Sequence, residues 1–185
     1  MLRQQAEKES EYPYLSQADF VATKGYKDHI GMFAVSCFGC DALVKTFESD
    51  NDDYSYIMDQ ALANRFVEAF AEYLHREICT NSWGYAPDEK LDEADLLKIK
   101  YDGIRRAPGY PYQPDHTEKK TMWDAINDEE VAGIKLSESL SMMPAASVSA
   151  FVFAHPESQY FAVEQNGKYQ VESYAQRNEY DISPM

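Results

Sequence analysis

Residues 101–126, YDGIRRAPGYPYQPDHTEKKTMWDAI, carry charged and aromatic side chains on a stretch rich in proline and glycine. Each proline fixes its own φ angle and pushes the preceding residue towards an extended conformation. The sequence therefore predicts a stiff loop after Arg105, with a tight turn at Gly109. Side chains fixed on such a loop, among them Arg106 and Tyr110, lose little entropy when they grip a ligand. A structural connection packed by its tyrosines explains the same pattern, and both interpretations stay open.

His116 and Glu118, at the end of this loop, are candidates for acid–base chemistry. An isolated histidine before a helix is more often a structural hydrogen-bonding group, and that interpretation is favoured. Thr117 can cap a helix that continues to residue 126, with Asp115 also near the positive end of that helix.

Cys37 and Cys40 form a CxxC pattern between an apolar run and a predicted short helix at residues 42–47. A dithiol at a helix N-terminus can have a lowered thiolate pKa and act in redox chemistry. Asp41, which is predicted to cap the helix, lies beside the second thiol and opposes thiolate formation. The sequence therefore argues against a redox role.

The clearest predicted element is a helix from about residue 53 to 80. One face at helical spacing is apolar and is predicted to be buried: Ala63, Phe66, Val67, Phe70, Ala71, Leu74 and Ile78. The opposite face gathers Asn64, Arg65, Glu68, Glu72 and His75. Carboxylates and a histidine at this spacing can hold a metal. A solvent-exposed stripe in which Arg65 pairs with Glu68 or Glu72 is the favoured interpretation.

The remaining elements indicate an α+β fold, with helices mainly in the first half and antiparallel strands in the second. Strands are predicted at 31–38, 134–140, 147–154 and 159–164, the last two joined as a hairpin. Shorter helices are predicted at 1–10, 15–21, 91–100 and 168–177.

The composition describes one globular domain of 185 residues with a net charge of −15. That charge repels phosphate backbones and anionic membranes, which argues against nucleic-acid and lipid partners. The sequence contains no apolar run long enough to span a bilayer, and its first residues lack the apolar segment of a secretory signal. We therefore expect a cytoplasmic protein.

Several motifs in the same order resemble the reactivation domain of cobalamin-dependent methionine synthase. They are RRAPGYP from Arg105, PDHTEK from Pro114, LRQQAEK from Leu2, DDY from Asp52, AFAEYLH from Ala69 and SQYFAV from Ser158. The resemblance implies that residues 1–185 form a single, partial reactivation domain: a twisted antiparallel sheet with flanking helices, without the N-terminal part of the module. In the family, that missing part supplies an aspartate to the ligand.

The resemblance also implies a role in methionine biosynthesis. Such a domain binds S-adenosylmethionine and presents the methyl group to cobalamin carried by another domain, after the cobalt has been oxidised to inactive cob(II)alamin. A flavodoxin or a diflavin reductase supplies one electron. The methyltransferase chemistry needs neither a catalytic side chain nor a metal held by this chain, because the sulfonium is already activated and cob(I)alamin is the nucleophile.

Carried over residue by residue, Arg105 matches the arginine that grips the ligand carboxylate, and Glu68 matches a carboxylate facing the ligand groove. The other matching positions are Ala107, Gly109 and Tyr110 in the loop and Tyr160 and Phe161 in the predicted hairpin. Arg106 stands where the family pattern has proline. The alternative function is a non-catalytic docking module that covers a partner's cofactor without binding S-adenosylmethionine tightly.

Overall fold

The computed structural model describes residues 1–5 and 13–179, and these fold as an α+β structure. The strands in these ranges are β1 (Gly31–Ser36), β2 (Ile104–Arg106), β3 (Lys135–Leu136), β4 (Met142–Met143) and β5 (Ser147–Phe153). The α-helices are α1 (Cys40–Ser49), α2 (Asp53–Glu77), α3 (Glu93–Leu97), α4 (Glu118–Ile126), α5 (Asp128–Val131) and α6 (Lys168–Arg177). A 3₁₀ turn spans Gln17–Phe20, and a π-helical turn at Ile78–Ser82 extends α2. The predicted fold class is confirmed.

The main sheet has β5 at its centre, paired antiparallel with β1 on one side and β2 on the other. Arg105 on β2 lies opposite Val152, and Ile104 lies opposite Phe153. Because β2 is an edge strand, the proline-rich loop can leave it without removing a hydrogen bond from the sheet. Strands β3 and β4 form a separate two-stranded sheet.

Successive side chains of β5 point to opposite faces of the sheet and enter two cores. One core holds Phe33, Val35, Ala63, Val67, Ala71, Ala146, Ala150 and Val152, and joins the sheet to α2. The other holds Phe20, Ile104, Met122, Trp123, Ile134, Phe151 and Phe153, and joins it to α4. The same alternation on β2 directs Arg105 towards α2 and Arg106 towards the second core.

The buried face of α2 differs from the predicted one. Ala63, Val67, Ala71 and His75 are buried, and Phe66 and Phe70 are 67% and 48% exposed. The predictions that Phe66 and Phe70 are buried and that His75 lies on an exposed stripe are therefore wrong. The buried side chains are spaced four residues apart, and the alanines among them allow the helix to approach the sheet closely. The exposed large apolar side chains of α2 are Tyr54, Ile57, Met58, Leu62, Phe66, Phe70 and Tyr73.

The predicted strand and hairpin at residues 159–164 are also wrong, because this segment follows an irregular path. The strand predicted at 134–140 shortens to β3, which ends at Leu136. Beyond it the chain turns, and Leu140 has a φ of 62°. The helix predicted at 91–100 shortens to α3.

At the N-terminus, residues 1–5 are non-helical, in contrast to the predicted helix. Arg3 forms an isolated antiparallel β-bridge with Ser16. The rest of that predicted helix, at 6–10, lies outside the described residues.

Both helix caps differ in detail from the prediction. Gly39 is the N-cap of α1, and Asp41 lies within the first turn. At α4 Thr117 is the N-cap residue, as predicted, but its side chain makes no capping bond among the described residues. The side chain of Asp115 instead accepts a hydrogen bond from the amide of Thr117 at 2.9 Å. Predictions for β1, β5, α1, α2, α4 and α6 are otherwise confirmed to within a few residues, and the short helix predicted at 15–21 is the 3₁₀ turn Gln17–Phe20.

No helix in the described part of the chain combines the length and the apolar character that crossing a bilayer requires.

Candidate functional site

The loop after β2 closes into a tight turn between Gly109 and Gln113. The Gly109 amide donates to the Gln113 carbonyl at 2.7 Å, and the Gln113 amide donates to the Tyr110 carbonyl at 2.8 Å. Gly109 has a φ of 99°, a left-handed conformation that glycine adopts with little strain. The predicted turn at Gly109 is therefore confirmed, and its backbone bonds fix the loop that carries the candidate ligand-binding residues.

Tyr160 joins residues 159–161 to the open edge of β2. Its hydroxyl donates to the Arg105 carbonyl at 2.7 Å and accepts from the Arg105 amide at 3.3 Å. One side chain thus satisfies two backbone groups that a neighbouring strand would otherwise pair, so the segment stays beside β2 without forming a strand. Farther along, the Val163 amide donates to the Pro111 carbonyl at 3.0 Å, which ties the segment to the loop as well.

The side chain of Arg105 extends towards α2. Nη2 lies 2.7 Å from Glu72 Oε2, and Nη1 donates to the Ala71 carbonyl at 3.3 Å. Tyr101 donates from its hydroxyl to the other carboxylate oxygen of Glu72. The Arg105 side chain is held by these bonds and remains 20% exposed to solvent.

His75 is buried in the interior and packs against Tyr101, next to Glu72 and Arg105. It is 1% exposed, and its ring centroid lies 4.4 Å from that of Tyr101. Nε2 of His75 has no hydrogen-bond partner among the described residues. Burial, with a smaller contribution from the nearby charge of Arg105, lowers the pKa of His75 from 6.5 to about 4. The histidine is therefore neutral at physiological pH.

Because His75 is buried and neutral, we expect the folded protein to lose stability as the pH falls. Unfolded His75 takes up a proton near its ordinary pKa of 6.5, whereas the folded form stays neutral down to about 4. The stabilisation is therefore complete above pH 6.5 and is lost as the pH falls towards 4. We expect this residue to remove about 2 kcal/mol of unfolding free energy between pH 7 and pH 5. Urea unfolding at both pH values should show a smaller pH-dependent loss in His75→Gln, and an equal loss would contradict the assignment.

Arg106 is buried among aromatic rings. Its guanidinium carbon lies 5.0 Å from the Tyr112 ring centroid, 5.4 Å from that of Tyr160 and 4.1 Å from that of Phe161. Nη2 donates to the Gln159 carbonyl, whereas Nε and Nη1 have no hydrogen-bond partner within the described ranges. Burial lowers the pKa of Arg106 to about 10, so the side chain remains charged at neutral pH.

A row of tyrosines connects the loop to the irregular segment. The Tyr110 ring stacks on Tyr112 with centroids 5.6 Å apart, and Tyr112 meets Tyr160 edge-on at 5.6 Å. Burial raises the pKa of Tyr112 to about 12. Tyr110 is 51% exposed and Tyr160 is 37% exposed, so both residues are partly open to solvent.

The structure brings some of the predicted site residues together. Arg105, Tyr110 and Tyr160 meet through direct contacts and through Tyr112. Ala107 is half-buried and Gly109 is exposed, in the same loop. Phe161 is half-buried and faces Arg106 and Phe20, and Glu68 is exposed on α2, one turn before Glu72.

Sequence reasoning missed the roles of Glu72, Tyr101 and Tyr112 around these residues. Helical spacing puts Glu72 in the polar stripe of the long helix, where it is one of two predicted partners of Arg65, the other being Glu68. Its actual partner, Arg105, is 33 residues away in sequence, so no helical spacing could have identified it.

The two thiols of the CxxC pattern lie 3.9 Å apart. Burial and the neighbouring Cys37, Asp59 and Asp41 raise the pKa of Cys40. This direction argues against a reactive thiolate at Cys40. Across residues 1–5 and 13–179, no three His, Cys, Asp or Glu side chains are arranged to hold a metal ion.

Comparison with known proteins places the described fold, including the loop after β2, in a family. Residues 1–179 match the family described as the activation domain of vitamin B12 dependent methionine synthase. The chain belongs to this family. A crystal structure of the MetH reactivation domain bound to AdoHcy superposes with a TM-score of 0.93 at 50% sequence identity. The match covers 97% of this activation-domain chain and 56% of that chain, so this chain spans a little over half the length of its structural relative.

Proposed function

We propose that this chain binds S-adenosylmethionine and presents its methyl group to cobalamin carried by another domain, for reductive reactivation of a methionine synthase. The observation that carries the proposal is the pair of hydrogen bonds between the Tyr160 hydroxyl and the backbone of Arg105. They unite two segments, distant in sequence, that the family pattern assigns to one ligand. The AdoHcy bound by the structural relative is the thioether that S-adenosylmethionine becomes on losing its methyl group, which supports this ligand class.

Arg105 would pair with the α-carboxylate of the ligand. A guanidinium has five N–H donors in a planar fork, and a carboxylate can accept two of them side by side. The exposed ring surfaces of Tyr110 and Tyr160 suit the sulfonium, because the face of an aromatic ring attracts a cation. Backbone groups of Ala107 and Gly109 would line the same loop, with Phe161 supporting Tyr160 and Glu68 at the edge of the groove.

This division of roles leaves no proton for the chain to move. When bound, the sulfonium supplies an activated methyl group, and the corrin of the cobalamin-binding domain supplies the nucleophile. The residues of this chain hold and orient the ligand, which lowers the barrier by fixing the approach of the reacting groups. The partners proposed on this basis are the cobalamin-binding domain and a one-electron donor, a flavodoxin or a diflavin reductase, in the cytoplasm.

Titration calorimetry with AdoHcy and S-adenosylmethionine tests the proposal. Arg105→Ala should weaken binding about 10- to 100-fold, because it removes charge-assisted hydrogen bonds to a carboxylate. Arg177→Ala is the matched control, since Arg177 is exposed on α6, and its affinity should stay within about twofold of wild type. Equal binding by Arg105→Ala would place the ligand elsewhere. Absence of binding by the wild-type chain would favour the alternative, a docking module that covers a partner's cofactor.

A further inference from the structure

Arg105 is held from the side of α2 by two acceptors on adjacent residues. Glu72 contributes a carboxylate oxygen at 2.7 Å from Nη2, and Ala71 contributes its backbone carbonyl at 3.3 Å from Nη1. We infer that Glu72 and Tyr101 are positioning residues that fix the Arg105 guanidinium for the carboxylate of the ligand. The inference rests on the proposed function and adds residues to that site.

The bonds to α2 leave Arg105 able to bind. Two of its five N–H groups are used by Glu72 and Ala71, and the other three have no partner among the described residues and are available to a ligand carboxylate. A free arginine side chain samples many rotamers, and a ligand that needs one of them must select it on binding. A guanidinium already held in one orientation avoids much of that loss.

Glu72 is in turn fixed by groups that connect it to the interior. Its second carboxylate oxygen accepts from the Tyr101 hydroxyl, and the Tyr101 ring packs against the buried ring of His75. Burial raises the pKa of Tyr101, which keeps its hydroxyl protonated and able to donate. The preceding residue, Ala71, is fully buried against the sheet. A continuous series of contacts thus links the core to the guanidinium of Arg105.

The opposite role for Glu72 makes the opposite prediction. A carboxylate on Arg105 could act as a competitor that the ligand carboxylate must displace, and its removal would then tighten binding. A positioning role predicts weaker binding when Glu72 or Tyr101 is changed. The sign of the change in affinity therefore separates the two roles.

Titration calorimetry with AdoHcy on wild type, Glu72→Gln, Tyr101→Phe, Arg105→Ala and the double variant Glu72→Gln/Arg105→Ala measures this sign. We expect Glu72→Gln to weaken binding about five- to tenfold and Tyr101→Phe about threefold, through lost preorganisation. The double variant should bind no more weakly than Arg105→Ala alone, because Glu72 acts through Arg105. Tighter binding by Glu72→Gln, unchanged binding, or full additivity in the double variant would overturn the inference. Glu77→Gln, on the same helix but bonded to Asn81, is the matched control.

A second measurement reads the orientation of Arg105 without any ligand. Nitrogen-15 NMR of the arginine Nε–H groups should show Arg105 ordered in wild type and in Glu77→Gln, and mobile in Glu72→Gln and Tyr101→Phe. Urea unfolding of each variant identifies loss of the fold. If the wild-type chain fails to bind AdoHcy, the proposed function fails, and the NMR result alone decides the positioning role. An equally ordered Arg105 in Glu72→Gln would then overturn it.

Discussion

Gly103→Ala is expected to destabilise the chain by about 4 kcal/mol, because a left-handed backbone and a backbone clash add together. Gly103 has a φ of 88° and is buried immediately before β2. A Cβ atom there would lie 2.5 Å from the Phe153 carbonyl oxygen and 2.7 Å from the Tyr85 hydroxyl. The first belongs to the central strand and the second is bonded to the buried Cys79 at 2.9 Å, so neither can move aside easily.

Gly25→Ala separates the two contributions to that cost. Gly25 has a similar φ of 108°, but nothing lies within 4 Å of the position a Cβ would take. Its substitution should cost only the left-handed strain, about 1 kcal/mol. Urea unfolding of both variants gives the comparison, and similar losses in the two would show that the clash at Gly103 is relieved by a small shift.

Gly103→Ala should also weaken ligand binding in the fraction of the protein that remains folded. Gly103 lies two residues before Arg105, and a displaced β2 would carry the Arg105 backbone away from the Tyr160 hydroxyl. Calorimetry with AdoHcy at a low temperature, where the variant is folded, should therefore show reduced affinity, whereas Gly25→Ala should bind as wild type does.

Local sequence signals predicted the loop well because its conformation is dictated locally. Proline restricts its own φ and the residue before it, and glycine tolerates the left-handed region, so the turn at Gly109 follows from residue types alone. The strand Ser147–Phe153 was also predictable, since valine and phenylalanine, which are enriched in strands, fill four of its seven positions. The family motif then identified the candidate residues Arg105, Tyr110 and Tyr160 without any structural information.

The orientation of α2 could not be predicted in the same way. The apolar face defined by helical spacing is broad. It runs from Phe66 and Phe70 to Ala63, Val67 and Ala71, and periodicity does not say which part of it meets the sheet. Close packing against the sheet favours the face with the smaller residues, and that choice depends on the tertiary structure. The prediction that His75 is exposed was wrong for the same reason.

Residues 159–164 show a different limit of pattern reasoning. Aromatic and β-branched residues there predicted a strand, but its place at the edge of β2 is taken by a single hydroxyl, that of Tyr160. A side chain that bonds both backbone groups of one distant residue leaves no periodic signal. The pairing of Glu72 with Arg105 was unpredictable for the same reason, because each is a long-range contact made by an individual side chain.

Arg106 holds the same irregular segment from its inner side, and its removal is the second large expected effect. Arg106→Ala should destabilise the chain by about 3 kcal/mol, because it empties a fully buried volume between three aromatic rings. It also removes the donor to the Gln159 carbonyl. Arg106→Met fills a similar volume and carries no charge. Within the part of the chain that the structure describes, no carboxylate pairs with this guanidinium, so its burial carries a desolvation cost that methionine avoids.

We therefore expect the unfolding free energy of Arg106→Met to lie within about 1 kcal/mol of the wild-type value, since methionine fills a similar volume and avoids the desolvation cost of a buried cation. Urea unfolding of the two variants side by side distinguishes volume from charge as the source of the stability. A loss in Arg106→Met as large as in Arg106→Ala would show that the cation itself, through the ring faces and the Gln159 carbonyl, stabilises the segment. In that case the positive charge of Arg106 would be the feature that keeps Tyr160 against Arg105.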